Sequence, residues 1–285
     1  MFAFAAHADP LFFLPWDLSH RPYRTNPALL SKNEQFGLRR SSTRKGRIVS
    51  SQMNICPFMD EHPGEKPNMA EPLRQSANLR TTGIILHRAR LYDAFLWLVS
   101  LGKERTYREK TLDLVNLRPG DFVLDIGCGT GTLAIAAKRR VGPGGRVWGL
   151  DASPEMLARA RKKTNKAGAE ITFERGIVEA LPFPDCQFDA VLSTVMLHHL
   201  GRPARQQCAE EVRRVLKPGG RVLAVDFAEP TEGRRGLLDH FHHHGYLNFQ
   251  DLAALFTQAG LNVAQSGVVG IGNLQFVLAS VPCRA

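Results

Sequence analysis

Residues 123–131 read Val-Leu-Asp-Ile-Gly-Cys-Gly-Thr-Gly, and twenty residues beyond the last of these glycines a second apolar run ends in Asp151. The run from Phe122 to Ile126 is short, apolar and partly β-branched, which marks a parallel strand buried on both faces. Gly127, Gly129 and Gly131 sit at alternate positions. Glycines there permit a tight turn and leave no side chain between backbone and ligand. Residues 132–140 then read as a helix of small and aliphatic residues, with Lys138, Arg139 and Arg140 in the last turn, where cations suit the helix dipole. The second strand runs from Arg146 to Leu150 and is closed by Asp151. A carboxylate at a strand tip, one crossover from a glycine loop, can accept both hydroxyls of a ribose. Ser153 suits an N-cap, Pro154 a first helical position and Gly168 a stop, so a second helix is expected from about Pro154 to Lys166. A strand, glycine loop, helix, strand and acid in this order force a parallel sheet around a nucleoside-type ligand.

The remaining chain continues the alternation. Third, fourth and fifth strands are expected at Ile171–Glu174, Phe188–Ser193 and Gly220–Asp226. The helix before the fifth carries Ala204, Cys208, Val212, Val215 and Leu216 at helical spacing, and Lys217-Pro-Gly-Gly220 should end it sharply. A last helix is expected over about Phe249–Ala259, capped by Asn248 and stopped by Gly260. Asn262–Val268 and Leu274–Ser280 are joined by too few residues for a parallel crossover, so they should pair antiparallel. The fold class is therefore α/β: a Rossmann-like seven-strand sheet, mostly parallel, with an antiparallel C-terminal strand and helices on both faces. Upstream, residues from about 79 to 117 have a helical pattern. An apolar face formed by residues such as Ile84, Leu91 and Phe95 is followed by an amphipathic helix from Glu104 that Arg118-Pro-Gly120 stops.

Residues 1 to 68 differ: Pro, Ser, Asn and Arg are frequent and no period persists. This stretch is expected to be a disordered N-terminal extension, with the folded domain spanning 69–285 and its helical cap about 79–117. The first residues lack the basic start and clean apolar core of a secretory signal, and the excess of Arg and Ser over acids leaves an organellar presequence open. Translation beginning at Met69 is a third reading. Five scattered cysteines without C-x-x-C spacing argue against a disulfide framework and a zinc site, and make a reducing cytoplasm the simplest location. Net charge is +10, but it is spread over successive helix faces, so a solvated basic surface is favoured over a nucleic-acid footprint. No apolar run is long enough for a membrane helix, and peripheral contact with an anionic membrane surface stays open.

Two cofactor classes fit a strand, glycine loop and ribose acid. The dinucleotide fingerprint has its third glycine three positions after the second. Here that position is Thr132, which disfavours a nicotinamide cofactor. The pattern resembles motif I of the class I S-adenosylmethionine (SAM)-dependent methyltransferases, and the resemblance covers about Thr111 to Ser280. It implies that Gly127, Cys128, Gly129, Thr130 and Gly131 lie along the methionine and ribose of the cofactor. Asp125 would sit near the methionyl ammonium, and Asp151 would hold the ribose. Ala152, Ser153 and Met156 beyond it complete that side. Residues 176–185 resemble the loop after the third strand in the branch that holds the quinone-ring C-methyltransferases of ubiquinone and menaquinone synthesis. There an Asp after the glycine bonds the adenine amino group. Here Ile177 follows Gly176, which leaves apolar contact and the backbone near Val178 to hold adenine.

Ser193 and Thr194, at the carboxyl end of the fourth strand, should face the ligand crevice. His198 or His199 just beyond is a candidate base near the acceptor, with packing as the plainer alternative. Cys128 is read as a small residue that fits the loop, not as a nucleophile. Asp226-Phe-Ala-Glu229, at the fifth strand's end, is placed to touch substrate. His240, His242, His243 and His244 are read as a surface or cap segment, and no metal site is expected.

The expected function is methyl transfer from SAM to a small or lipid-like organic acceptor, first a quinone or phenol ring carbon. An O- or N-methyltransferase of a secondary metabolite and a non-catalytic SAM-fold binding protein are the alternatives, with RNA methylation behind them.

Overall fold

The structure is a computed structural model, and it describes residues 104–228, 247–270 and 273–283. Helix α1 spans Glu104–Val115, and β1 spans Phe122–Ile126. Then follow α2 (Thr132–Val141), β2 (Arg146–Asp151), α3 (Pro154–Ala167), β3 (Thr172–Arg175) and β4 (Phe188–Thr194). A single 3-10 turn covers Leu197–His199. The chain continues with α4 (Arg202–Val215), β5 (Leu216–Phe227), α5 (Phe249–Gln258), β6 (Asn262–Val268) and β7 (Leu274–Ser280).

The sheet has seven strands in the order β3-β2-β1-β4-β5-β7-β6. The pairs from β3 through β5 are parallel, and β7 runs antiparallel to both β5 and β6. Chain order reverses between β1 and β4. This is the switch point at which open α/β sheets leave a crevice beyond the carboxyl ends of their strands.

Alternation along the strands divides the core. On one face Leu124, Val191, Val222 and Ala224 pack with Cys208 and Val212 of α4 and Leu252 and Phe256 of α5. On the other, Val123, Leu192, Leu223 and Val225 pack with Leu112 of α1 and Ala134 and Ala137 of α2. Each central strand is therefore apolar on both sides, as a sheet covered by helices requires. Local chemistry sets the boundaries. Ser153 Oγ accepts the Met156 N–H to cap α3, and Gly168 ends it at φ +61°. Asn248 Oδ1 accepts the N–H groups of Gln250 and Asp251 to cap α5.

One boundary differs from expectation. Lys217-Pro-Gly-Gly220 belongs to β5, which starts at Leu216 and not at Gly220. Pro218 still prevents the helix from continuing. Leu216, however, pairs with Phe188, and the register then jumps to Ala190 opposite Arg221, so the Pro-Gly-Gly stretch is absorbed as a bulge. The segment to residue 103, including the helices expected from 79, and the histidines at 240–244 lie outside the described residues.

Candidate cofactor and methyl-transfer site

The glycine loop turns because its glycines take left-handed backbone angles: φ is +66° at Gly127, +52° at Gly129 and +74° at Gly131. At two of them a larger residue would also meet close neighbours. A Cβ on Gly127 would collide with the Met196 side chain, and one on Gly131 would press on Ala160 and the Phe173 ring at 3.0 Å. The loop is tied down on several sides. The Cys128 N–H donates to Leu150 O at 3.0 Å. Lys163 Nζ of α3 donates to Thr130 Oγ1 at 2.8 Å and Thr132 Oγ1 at 2.5 Å. Asp151 Oδ2 accepts the Gly129 N–H at 2.8 Å, while Oδ1 accepts the Ser153 N–H at 2.8 Å. A carboxylate has about four acceptor directions. Asp151 thus anchors the loop and keeps capacity for ribose hydroxyls.

Asp125 is 1% exposed in the last turn of β1, in register with Gly149 and Leu192. Its Oδ2 has no hydrogen-bond partner among the described residues. Burial, reinforced by the charge of Asp151, raises its pKa to about 8. Burial also raises Asp151, against the backbone N–H bonds that pull it down. A cation beside these two acids would relieve the cost that raises both pKa values. At the end of β4, Ser193 Oγ is also buried and without a partner among the described residues; Ser193 is in register with Ile126, so its side chain lies on the other face of the sheet from Asp125. Such orphaned buried groups are costly and point to a ligand.

The other expected residues fall around the same crevice. Gly176 donates its N–H to Asp151 O, and a Cβ there would meet Leu150 Cδ1 at 2.7 Å, so β3 closes tightly onto β2. Ile177 and Val178 follow, the former half-buried and the latter buried, with Ile177 bridged to Ala180. Ala152 and Ser153 continue from the tip of β2, Met156 is buried behind them, and Thr194 is half-buried at the end of β4. Two residues present backbone rather than side chain. Cys128 packs its sulfur among Leu157, Ala160 and Phe173, and Thr130 spends its hydroxyl on Lys163. Burial and the nearby acids raise the Cys128 thiol far above its ordinary value, so it is a packing residue and not a nucleophile.

His198 lies on the β4 and β5 side, 7% exposed, with Nδ1 at 2.7 Å from Asp226 Oδ1. Asp226 is fully buried. It holds His198 by two bonds; Glu229 beyond it lies outside the described residues. Sequence reasoning misses two further residues. Val195 has φ +52°, a strained angle for a β-branched side chain, and Met196 fills the space that Gly127 leaves. Neither carries a local sequence signal. Among the described cysteines, Cys128, Cys208 and Cys283 are free.

The residues therefore fit an adenosyl cofactor with a cationic end. An acid at a strand tip suits the ribose, a side-chain-free loop suits the body of the ligand, and a buried acid with one oxygen left unpaired suits an ammonium.

A family model described as "Methyltransferase domain" matches residues 123–220. The demethylmenaquinone methyltransferase of Thermus thermophilus is 37% identical over 158 residues, covering 55% of this chain and 70% of that protein. The ubiquinone/menaquinone biosynthesis C-methyltransferase of Bordetella avium is 39% identical over 137 residues, covering 48% of this chain but only 53% of that protein. Among solved structures, a SAM-dependent methyltransferase from Aquifex aeolicus superposes with a TM-score of 0.53 at 26% identity, covering 61% of this chain and 89% of that one. Sheet order, glycine loop and relatives agree: the chain belongs to the class I SAM-dependent methyltransferases.

Proposed function

We propose that this protein transfers the methyl group of SAM to a ring carbon of a prenylated quinol or related phenol. The observation that carries the cofactor half is the orphaned buried Asp125 Oδ2 beside the Asp151 carboxylate at the next strand tip. The acceptor half rests on the relatives, whose names specify demethylmenaquinone and ubiquinone/menaquinone synthesis.

When bound, SAM supplies a methyl group already activated by the sulfonium. No nucleophilic side chain is then required, and the protein's work is to align, desolvate and move protons. Asp125 would hold the methionyl ammonium. Gly127, Gly129 and Gly131 would let backbone approach the ligand, Asp151 would take the ribose hydroxyls, and Val178 with Ile177 would give adenine an apolar wall. Ile177 contributes no hydrogen bond to the adenine amino group, so selectivity for adenine falls on shape and backbone.

Among the described residues no helix is long and apolar enough to cross a membrane. A lipid-like quinol would therefore be met at a membrane surface. A cytoplasmic location is part of the proposal.

The test is transfer of labelled methyl from SAM to a short-chain 2-prenyl-1,4-naphthoquinol, beside calorimetric titration with S-adenosylhomocysteine. Methylated ring product and micromolar binding that Asp151→Ala abolishes are the expected results. Binding without transfer to any quinol or phenol would sink the acceptor; no binding at all would sink the cofactor site.

A further inference from the structure

The cofactor residues gather over β1 and β2, and the opposite wall of the crevice is a second buried polar arrangement on β4 and β5. Its centre is Asp226, 0% exposed at the end of β5. Oδ1 accepts the Phe227 N–H at 2.8 Å and lies 2.7 Å from His198 Nδ1, while Oδ2 accepts the His198 backbone N–H at 3.1 Å. One carboxylate thus fixes both the main chain and the ring of a single histidine.

The backbone is distorted to make this possible. Val195, with φ +52°, turns the chain out of β4 while its N–H donates to Val225 O at 2.8 Å. The 3-10 turn Leu197–His199 then carries His198 back over the end of β5. Strain at a β-branched residue persists only where its surroundings over-determine it. Met196, between the two, packs against Gly127, so the histidine turn and the cofactor loop share one contact.

A carboxylate at Nδ1 dictates the tautomer: Nδ1 carries the hydrogen, and Nε2 keeps its lone pair as an acceptor. We propose that His198 is the base that takes the ring-hydroxyl proton of the methyl acceptor, and that Asp226 is the positioning residue that holds it in that tautomer. This rests on the methyl-transfer reading above. The hydroxyl proton moves to Nε2, and the ring carbon, made electron-rich, forms the new C–C bond as the C–S bond breaks with its electron pair left on sulfur. The ring C–H proton then leaves to solvent, and the imidazolium returns its proton to the oxygen. The net products are methylated ring, S-adenosylhomocysteine and one proton. Among the described residues, the charged and titratable groups around the pair include His199, whose ring centroid lies 3.9 Å from that of His198, Arg205 and Arg202 of α4, and Asp251 of α5, which acts on Arg205 together with Asp226. The Phe227 ring closes the apolar side at 5.8 Å.

The test uses the full chain as wild type, His198→Gln, Asp226→Asn and Asp226→Glu, with the naphthoquinol probe, a pH profile of kcat/KM and imidazole 15N spectra. S-adenosylhomocysteine affinity should stay within about twofold in all, since neither residue is in the cofactor wall. His198→Gln should lose roughly 100-fold or more in kcat and the acid limb of the profile. Asp226→Asn should lose rate together with the Nδ1–H resonance pattern, and Asp226→Glu should recover part of both. A His198→Gln enzyme with full rate and an unchanged acid limb overturns the proposal, as does a wild-type spectrum with Nδ1 unprotonated. If wild type binds S-adenosylhomocysteine but methylates no probe, the acceptor reading has failed. The pair is then decided by the 15N spectrum and its response to Asp226→Asn in the same samples.

Discussion

Asp125 shows how one residue couples burial, charge and ligand. Its pKa of about 8 lies far above that of an unfolded chain's aspartate, because burial and the Asp151 charge disfavour ionisation. The native state therefore binds more protons than the unfolded state between about pH 4 and 8, and stability without ligand must fall as pH rises through that window. A cationic ammonium prefers the ionised carboxylate, so cofactor binding should release protons and tighten as pH rises from 6 towards 8. Calorimetry in buffers of different ionisation enthalpy checks the release. Asp125→Asn should flatten both the stability and the affinity curves while weakening S-adenosylhomocysteine by about tenfold or more. Gly127 makes the steric counterpart. Gly127→Ala adds a Cβ against Met196 at a positive φ and should weaken cofactor binding, with a destabilisation of about 1–3 kcal/mol read from denaturant unfolding.

At the scale of elements, the connection from β3 to β4 has little regular structure, and Arg214 of α4 holds it. Its guanidinium donates to Leu181 O at 3.0 Å and Phe183 O at 2.7 Å, and pairs with Asp185 and Glu211. Those partners raise its pKa still further, and the side chain is about a quarter exposed. Glu211 adds a bond from the Leu181 N–H at 2.7 Å. Arg214→Ala frees two carbonyls and two carboxylates at once and should cost about 1–3 kcal/mol. Hydrogen exchange should rise over 177–187, next to the expected adenine wall, before it rises in β4. A uniform increase across the sheet would show that the arginine supports the whole fold and not this connection.

For the molecule as a whole, the described residues already close a seven-strand sheet between two helical layers. We propose that residues 1–68 are an extension to a domain spanning 69–285. A chain beginning at Met69 should then keep a cooperative melt and S-adenosylhomocysteine affinity within about twofold of full length. Loss of folding in that chain would assign the extension a structural role.

The sequence by itself determined the α/β alternation, the glycine loop and the strand-tip acid, because each depends on short-range periodicity, positive-φ backbone and burial that local residue types report. The ranges of β1, β2, β6 and β7 and the antiparallel ending follow from run lengths and a short connection. The tertiary structure alone decided what distant segments do together. The Pro-Gly-Gly stretch became a bulge in β5 because Phe188 lay opposite Leu216. Thr130 and Cys128 turned their side chains away from the crevice to meet α3. Asp226 became the anchor of His198, 28 residues earlier in the chain. These depend on register between strands that are not neighbours in sequence, and no local pattern encodes that register.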